Sequence, residues 1–112
     1  MREGYRRLLE LNADVHVCGE AADAAQAYQR FCALRPDVVV MDLSLPGASG
    51  VEAMRRMLAR VPDARVLIFS VHEEAIFVRR ALDAGALGYV TKASAPDVLV
   101  EAVRTVARRA GY

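Results

Sequence analysis

A chain of 112 residues, 54% apolar and 26% charged, can bury one core without disulfide or metal staples, and is neither disordered nor membranous. Fifteen basic against fourteen acidic residues leave a net charge of +1, which argues against a nucleic-acid footprint spread over this chain. No apolar run nears the roughly 20 residues that span a bilayer and no signal segment opens the sequence, so a cytoplasmic protein without a membrane partner is expected. Cys18 and Cys32 lack metal-ligand spacing and are expected as two buried free thiols.

The chain opens on a helix whose inner stripe is Tyr5, Leu8 and Leu9, ending near Leu11-Asn12-Ala13. Asp14 to Cys18 alternates, with Val15 and Val17 on one face and His16 and Cys18 on the other, which predicts a half-buried or edge strand. Asp23 and Gln26 resemble a capping box. They start a second helix with Ala24, Tyr28, Phe31 and Leu34 inward, closed at Arg35-Pro36.

Val38-Val39-Val40-Met41 is a continuous apolar run, read as a strand buried on both faces. It ends in Asp42, and Leu43-Ser44-Leu45-Pro46-Gly47 follows as a loop. Ser49-Gly50-Val51-Glu52 caps a third helix, with Val51, Met54 and Leu58 inward, Arg60 at its negative end and Pro62 beyond. Val66 to Phe69 is a second apolar strand, ending at Ser70. A fourth helix is expected from about Glu73 to Ala84, closed by Gly85. Gly88-Tyr89-Val90 is a short strand ending at Thr91-Lys92. Ser94 is read as the cap of a last helix carrying Pro96 and Asp97 in its first turn. In that helix Val98, Leu99, Val100, Ala102, Val103 and Val106 make more than one narrow stripe, which suggests a partner surface.

Strands alternating with helices of this length imply βαβ units, right-handed crossovers and a parallel sheet covered on both faces. The fold class is therefore α/β, a doubly wound parallel sheet.

Three polar residues, Asp42, Ser70 and Lys92, end three successive strands. Parallel strands bring their carboxyl ends to one edge, where ligands bind. A carboxylate, a hydroxyl and an ammonium at one point form a phosphoryl-accepting set. The carboxylate is the nucleophile, and the other two hydrogen-bond and charge-pair the phosphoryl oxygens. Each residue also has a plainer reading: Asp42 as a loop carboxylate, Ser70 as a helix cap, Lys92 as a surface lysine, Tyr89 as strand packing. His16 and His72 are unclustered and make no metal site. Glu73-Glu74 is a favourable charge pair at a helix N-terminus.

Val-Val-Val-Met-Asp-Leu-Ser-Leu-Pro-Gly, Val-Leu-Ile-Phe-Ser and Gly-Ala-Leu-Gly-Tyr-Val-Thr-Lys together resemble the signature blocks of response-regulator receiver domains, over essentially the whole chain. Phe-Ser-Val-His-Glu-Glu and the absence of proline after Lys92 resemble the LuxR-type subfamily, whose members carry a helix-turn-helix output domain not found here. The resemblance implies a flavodoxin-like fold and Asp42 as phosphoacceptor for a histidine kinase. It implies Ser70 as the hydroxyl that moves toward the phosphoryl group, Lys92 as its salt bridge and Tyr89 as an aromatic switch. The backbone carbonyl of Ser44 would be a ligand of Mg²⁺. It also implies a signalling switch rather than an enzyme, a dimer of the active form, and DNA contact only through an output domain.

The family's first strand, with its acidic metal-binding pair, is not found ahead of Arg2. An internal methionine taken as the start is the favoured explanation. In the family's strand order, 2-1-3-4-5, the lost strand is interior, between Val15–Cys18 and Val38–Met41. Weak Mg²⁺ binding is expected, together with a rearranged sheet, a homodimer or a strand-exchanged oligomer. Two rival functions share these features: a phosphorylation-independent interaction module, and an aspartate-nucleophile phosphatase of the haloacid-dehalogenase type. The phosphatase needs an acid two residues after its nucleophile, where this chain has Ser44.

Overall fold

The computed structural model describes residues 3–43, 50–94 and 96–108, with side chains from Tyr5 onward. In chain order the elements are α1 (Glu3–Glu10), α2 (Ala24–Leu34), β1 (Val39–Met41), α3 (Gly50–Arg60), β2 (Val66–Ser70), α4 (Ala75–Asp83), β3 (Gly88–Thr91) and α5 (Pro96–Ala107). The three described strands form one parallel sheet in the order β1-β2-β3, registered Val39 to Val66, Met41 to Ile68, Ile68 to Tyr89 and Ser70 to Thr91. This is the flavodoxin-like doubly wound arrangement.

Period-two alternation along the buried strands divides the core into two layers. Val39, Met41, Val66 and Ile68 pack with Ala24 and Phe31 of α2, Ala53, Met54 and Met57 of α3, and Ala81 of α4. Val38, Val40, Leu67, Phe69 and Val90 pack on the other face with Leu9 of α1 and with α5. All five residues of β2 are buried, as its unbroken apolar run requires of a central strand.

Local signals act where they are expected in most helices. Asp23 caps α2 by accepting from the Gln26 N–H at 2.8 Å, and the Gln26 side chain accepts from the Ala22 N–H, one residue earlier than a strict capping box. Arg35 ends α2 in the left-handed region at φ 47°, its N–H returned to the Phe31 carbonyl. Gly85 stands at φ 116°, where a Cβ would be strained.

Several expectations are corrected. The Asp14–Cys18 segment is not a strand. Val15 and Val17 do face the core and His16 and Cys18 the solvent, but no described strand pairs with it. Alternation records which faces are wet, not whether a neighbour is there to hydrogen-bond. Leu34, the last residue of α2, is 45% exposed rather than part of its inner stripe. The buried stripe of α3 is Ala53, Met54 and Met57, with Val51 and Leu58 at its margins. The fourth helix starts at Ala75 rather than Glu73. Cys18 is exposed and Cys32 half-buried, so neither thiol is sealed in the core. The breadth of the apolar face of α5 is accounted for by packing within this chain. Leu99, Val100, Ala102, Val103 and Val106 are buried beneath β2, β3 and α1 within this chain. The Pro46-Gly47 loop and the Ser49 cap lie outside the described residues.

Candidate functional site

Asp42 follows β1 directly and Lys92 follows β3, so the parallel sheet delivers both to its carboxyl edge with Ser70, the last residue of β2, between them. The Lys92 Nζ donates to Asp42 Oδ2 at 2.5 Å. Both side chains keep partial contact with water, at 27% and 32% exposure. The Lys92 N–H also donates to the Ser70 carbonyl at 2.8 Å, which fixes the turn that leaves β3. The Lys92 ammonium lies 5.6 Å from the centroid of the Phe69 ring, whose negative face adds to its anchoring.

Ser70 is fully buried, and its Oγ accepts from the His72 N–H at 3.2 Å. It does not cap α4, which begins five residues later with Glu74 at the cap position and no side-chain cap bond there. The Tyr89 hydroxyl donates to the His72 carbonyl at 2.7 Å. His72 thus joins Ser70 to Tyr89 through its own backbone, and its ring stacks on Phe77 of α4 with centroids 4.5 Å apart. Burial raises the Tyr89 phenol above its usual pKa, and the negative charges of Glu74 and Asp42 push the same way. A hydrogen bond with Ser70 opposes them.

Gly50 is set by close approach. It opens α3 against the chain leaving β1, where a Cβ would lie 2.2 Å from the Asp42 carbonyl oxygen. Its N–H donates to the Leu43 carbonyl at 3.1 Å. The link through the His72 backbone was not foreseen from sequence, because main-chain groups carry no residue-type signal. The glycine could have been found from its place between a strand-end carboxylate and a helix.

Among the described residues no group of three or more Asp, Glu, His or Cys side chains could hold a metal. Asp42 contributes one carboxylate, with one oxygen engaged by Lys92, and the Ser44 carbonyl lies outside the described residues. Mg²⁺ demands near-octahedral oxygen coordination, which this described set does not supply, although the family generally binds that ion.

The family model described as response regulator receiver domain matches residues 1–104. This chain is a receiver domain. The regulatory protein DegU of Brevibacillus brevis is 37% identical over 111 residues, 99% of this chain and 47% of that protein. The oxygen regulatory protein NreC of Staphylococcus carnosus is 36% identical over 113 residues, 100% and 52% respectively. The chain therefore spans about half the length of these curated relatives. Among solved structures, a LuxR-family two-component response regulator from Aurantimonas superposes with TM-score 0.94 at 46% identity, covering 97% of this chain and 78% of that one. The receiver domain of the response regulator NarL from Mycobacterium tuberculosis gives 0.89 at 37%, covering 95% and 86%. The receiver is thus of the LuxR type. No described helix is long and apolar enough to cross a membrane.

Proposed function

We propose that this receiver is the phosphoryl-accepting switch of a two-component transcriptional regulator, with Asp42 as the acceptor. The observation that carries this is the Asp42–Lys92 pair at the carboxyl edge of the sheet, beside the buried Ser70 hydroxyl. An Asp42 carboxylate oxygen attacks the phosphorus of a phosphohistidine on a sensor kinase. The P–N bond breaks, the imidazole leaves and takes up a proton, and Asp42 becomes an acyl phosphate. Lys92 moves from the carboxylate to the new phosphoryl oxygens. Ser70 accepts from His72 but keeps its own proton to donate. Turning toward the phosphoryl group breaks the His72 contact, and His72 also holds Tyr89. A local change of charge is thereby passed to Tyr89 and α4 as a shift between two packed states.

The partners in this reading are a cytoplasmic histidine kinase and a second receiver in a homodimer. DNA is reached only through an output domain outside residues 1–112. Mg²⁺ binding is weak, because a single side-chain carboxylate stands at the site among the described residues. That same observation favours the second reading, an interaction module that works without phosphorylation.

Incubation with acetyl phosphate, with and without Mg²⁺, followed by intact-mass measurement separates the two. A phosphoryl adduct that disappears in Asp42→Asn supports the switch, and absence of any adduct favours the module. Turnover of a chromogenic phosphate ester, lost in Asp42→Ala, would instead revive the phosphatase.

A further inference from the structure

Lys92 is the only lysine in the chain. Among the described residues its ammonium has two contacts, Asp42 Oδ2 at 2.5 Å and the ring of Phe69 at 5.6 Å to the centroid. A flexible four-carbon stem carries that ammonium, so one ion pair alone leaves it many rotamers. Phe69 is far more constrained. It is 6% exposed, stands in the central strand β2 in register with Val90 of β3, and packs in the core layer shared with α1 and α5. The ring of Tyr5 meets it edge to face, with centroids 4.8 Å apart and planes at 89°. That is a geometry the ring quadrupoles favour, so each ring sets the plane of the other. Tyr5 belongs to α1, which sends Leu9 into the same layer. A row of three side chains, Tyr5, Phe69 and Lys92, thus runs from the first described helix to the carboxyl edge of the sheet.

We propose that Phe69 and Tyr5 are positioning residues for phosphoryl capture, Phe69 by holding the Lys92 ammonium and Tyr5 by holding the Phe69 ring. This role rests on Lys92 being the cation that meets the phosphoryl oxygens. When Asp42 becomes an acyl phosphate, the carboxylate charge that held Lys92 is gone, and the ammonium passes from one anion to another. Through that exchange the ring is the contact that stays. It offers the cation a negative face and no acceptor that competes with the phosphoryl group. A leucine at position 69 would fill much of the same space without that face, which separates anchoring from packing. α1 has eight residues, too few to be stable alone, so Tyr5 is in place only while the helix is docked. The docking of α1 thereby enters the geometry of the site through two aromatic rings.

The test uses the 112-residue chain grown with lysine labelled at Cε, which gives a single NMR signal because one lysine is present. A ring shields protons over its face, so the Lys92 Hε protons should resonate upfield of those of an exposed lysine. Phe69→Leu should remove that shift and Tyr5→Leu should reduce it, while Tyr5→Phe, which keeps the ring, should rescue it. With acetyl phosphate and Mg²⁺, adduct formation at Asp42 should slow roughly two- to fivefold in Phe69→Leu, the worth of one partly exposed cation–π contact. Tyr5→Leu should slow it in the same direction, and this half-buried position carries the comparison if Phe69→Leu fails to fold. In a Lys92→Ala background neither leucine substitution should cost anything further, since the group they position is gone. Hε protons at the exposed position in the parent overturn the proposal, as do leucine variants that accept phosphoryl at the parental rate. Leucine variants that slow Lys92→Ala as much as they slow the parent also overturn it, and make the rings packing residues only. A parent that takes no adduct while its Hε shifts behave as expected overturns the phosphoryl role of Lys92 and upholds its anchoring on Phe69.

Discussion

Replacing Gly50 by alanine tests how closely α3 abuts the strand end that carries Asp42. A Cβ at position 50 lies 2.2 Å from the Asp42 carbonyl oxygen and 2.9 Å from the Leu43 Cα. Both obstacles are backbone, so no side chain can swing aside. Ordinary contact begins at 3.4 Å, and widening 2.2 Å to that distance moves the Asp42 backbone and α3 apart by about 1.2 Å. Overpacking of this size costs ~1–3 kcal/mol. At ~4 °C per kcal/mol, the melting temperature should fall by about 4–12 °C. A displacement near 1 Å of a reacting group is worth about 100-fold in rate, so adduct formation at Asp42 should slow by that order. Circular-dichroism melts and timed intact-mass measurements with acetyl phosphate read the two effects. Gly85→Ala is the control. Its φ of 116° and its 2.6 Å approach to a Leu58 methyl make it destabilising as well, but it lies in the turn that enters β3, at the opposite end of that strand from Lys92, and should leave the rate unchanged. If Gly50→Ala melts with the parent and accepts phosphoryl at the parental rate, the close approach described here is wrong.

Met54 is fully buried between α3 and the sheet, and Met54→Ala should cost ~2–5 kcal/mol, lowering the urea midpoint without changing the slope. Lys92→Ala removes an ion pair whose partners are each about a third exposed, so stability should change by no more than ~1 kcal/mol while the adduct yield falls. A large loss of stability would instead make Lys92 a structural residue. The Tyr89 phenol is held above its usual pKa by burial, so its contribution is complete below pH ~10 and is lost as pH rises through the folded value. Tyrosinate absorbance should show a phenol that ionises above the usual range vanish in Tyr89→Phe and shift downward in Asp42→Asn, where one repelling charge is gone. An unchanged titration in both variants would refute that account.

The elements legible from sequence were those whose signal is local. Asp23 announces α2 by its side chain, and the run Val66–Phe69 announces a central strand by burial on both faces. The convergence of Asp42, Ser70 and Lys92 was legible too, because strand ends in a parallel sheet share one edge. What failed was relational. Val15–Cys18 has the alternation of a strand, but a ladder needs a neighbour, and periodicity does not count neighbours. The width of the α5 stripe does not by itself distinguish a helix contacting a second protein from one wedged under two strands and another helix. Ser70 was weighed as a helix cap because it stands three residues before Glu73. The true start at Ala75 releases it for the site.

The three described strands are joined to one another by consecutive crossovers, β1-α3-β2-α4-β3, while residues 3–36 add no described strand and lie against that sheet and its helices, α2 with α3 and α1 with α5. α1 precedes the other described elements, and the surfaces it rests on, Phe69 of β2 and the helix α5, are made later. The contacts within residues 38–94 close short loops and form early, whereas the α1–α5 contact spans nearly the whole sequence and comes late. Residues 3–36 should accordingly open as a unit at lower free energy than the sheet, and be the first to exchange and the first to be cut by protease.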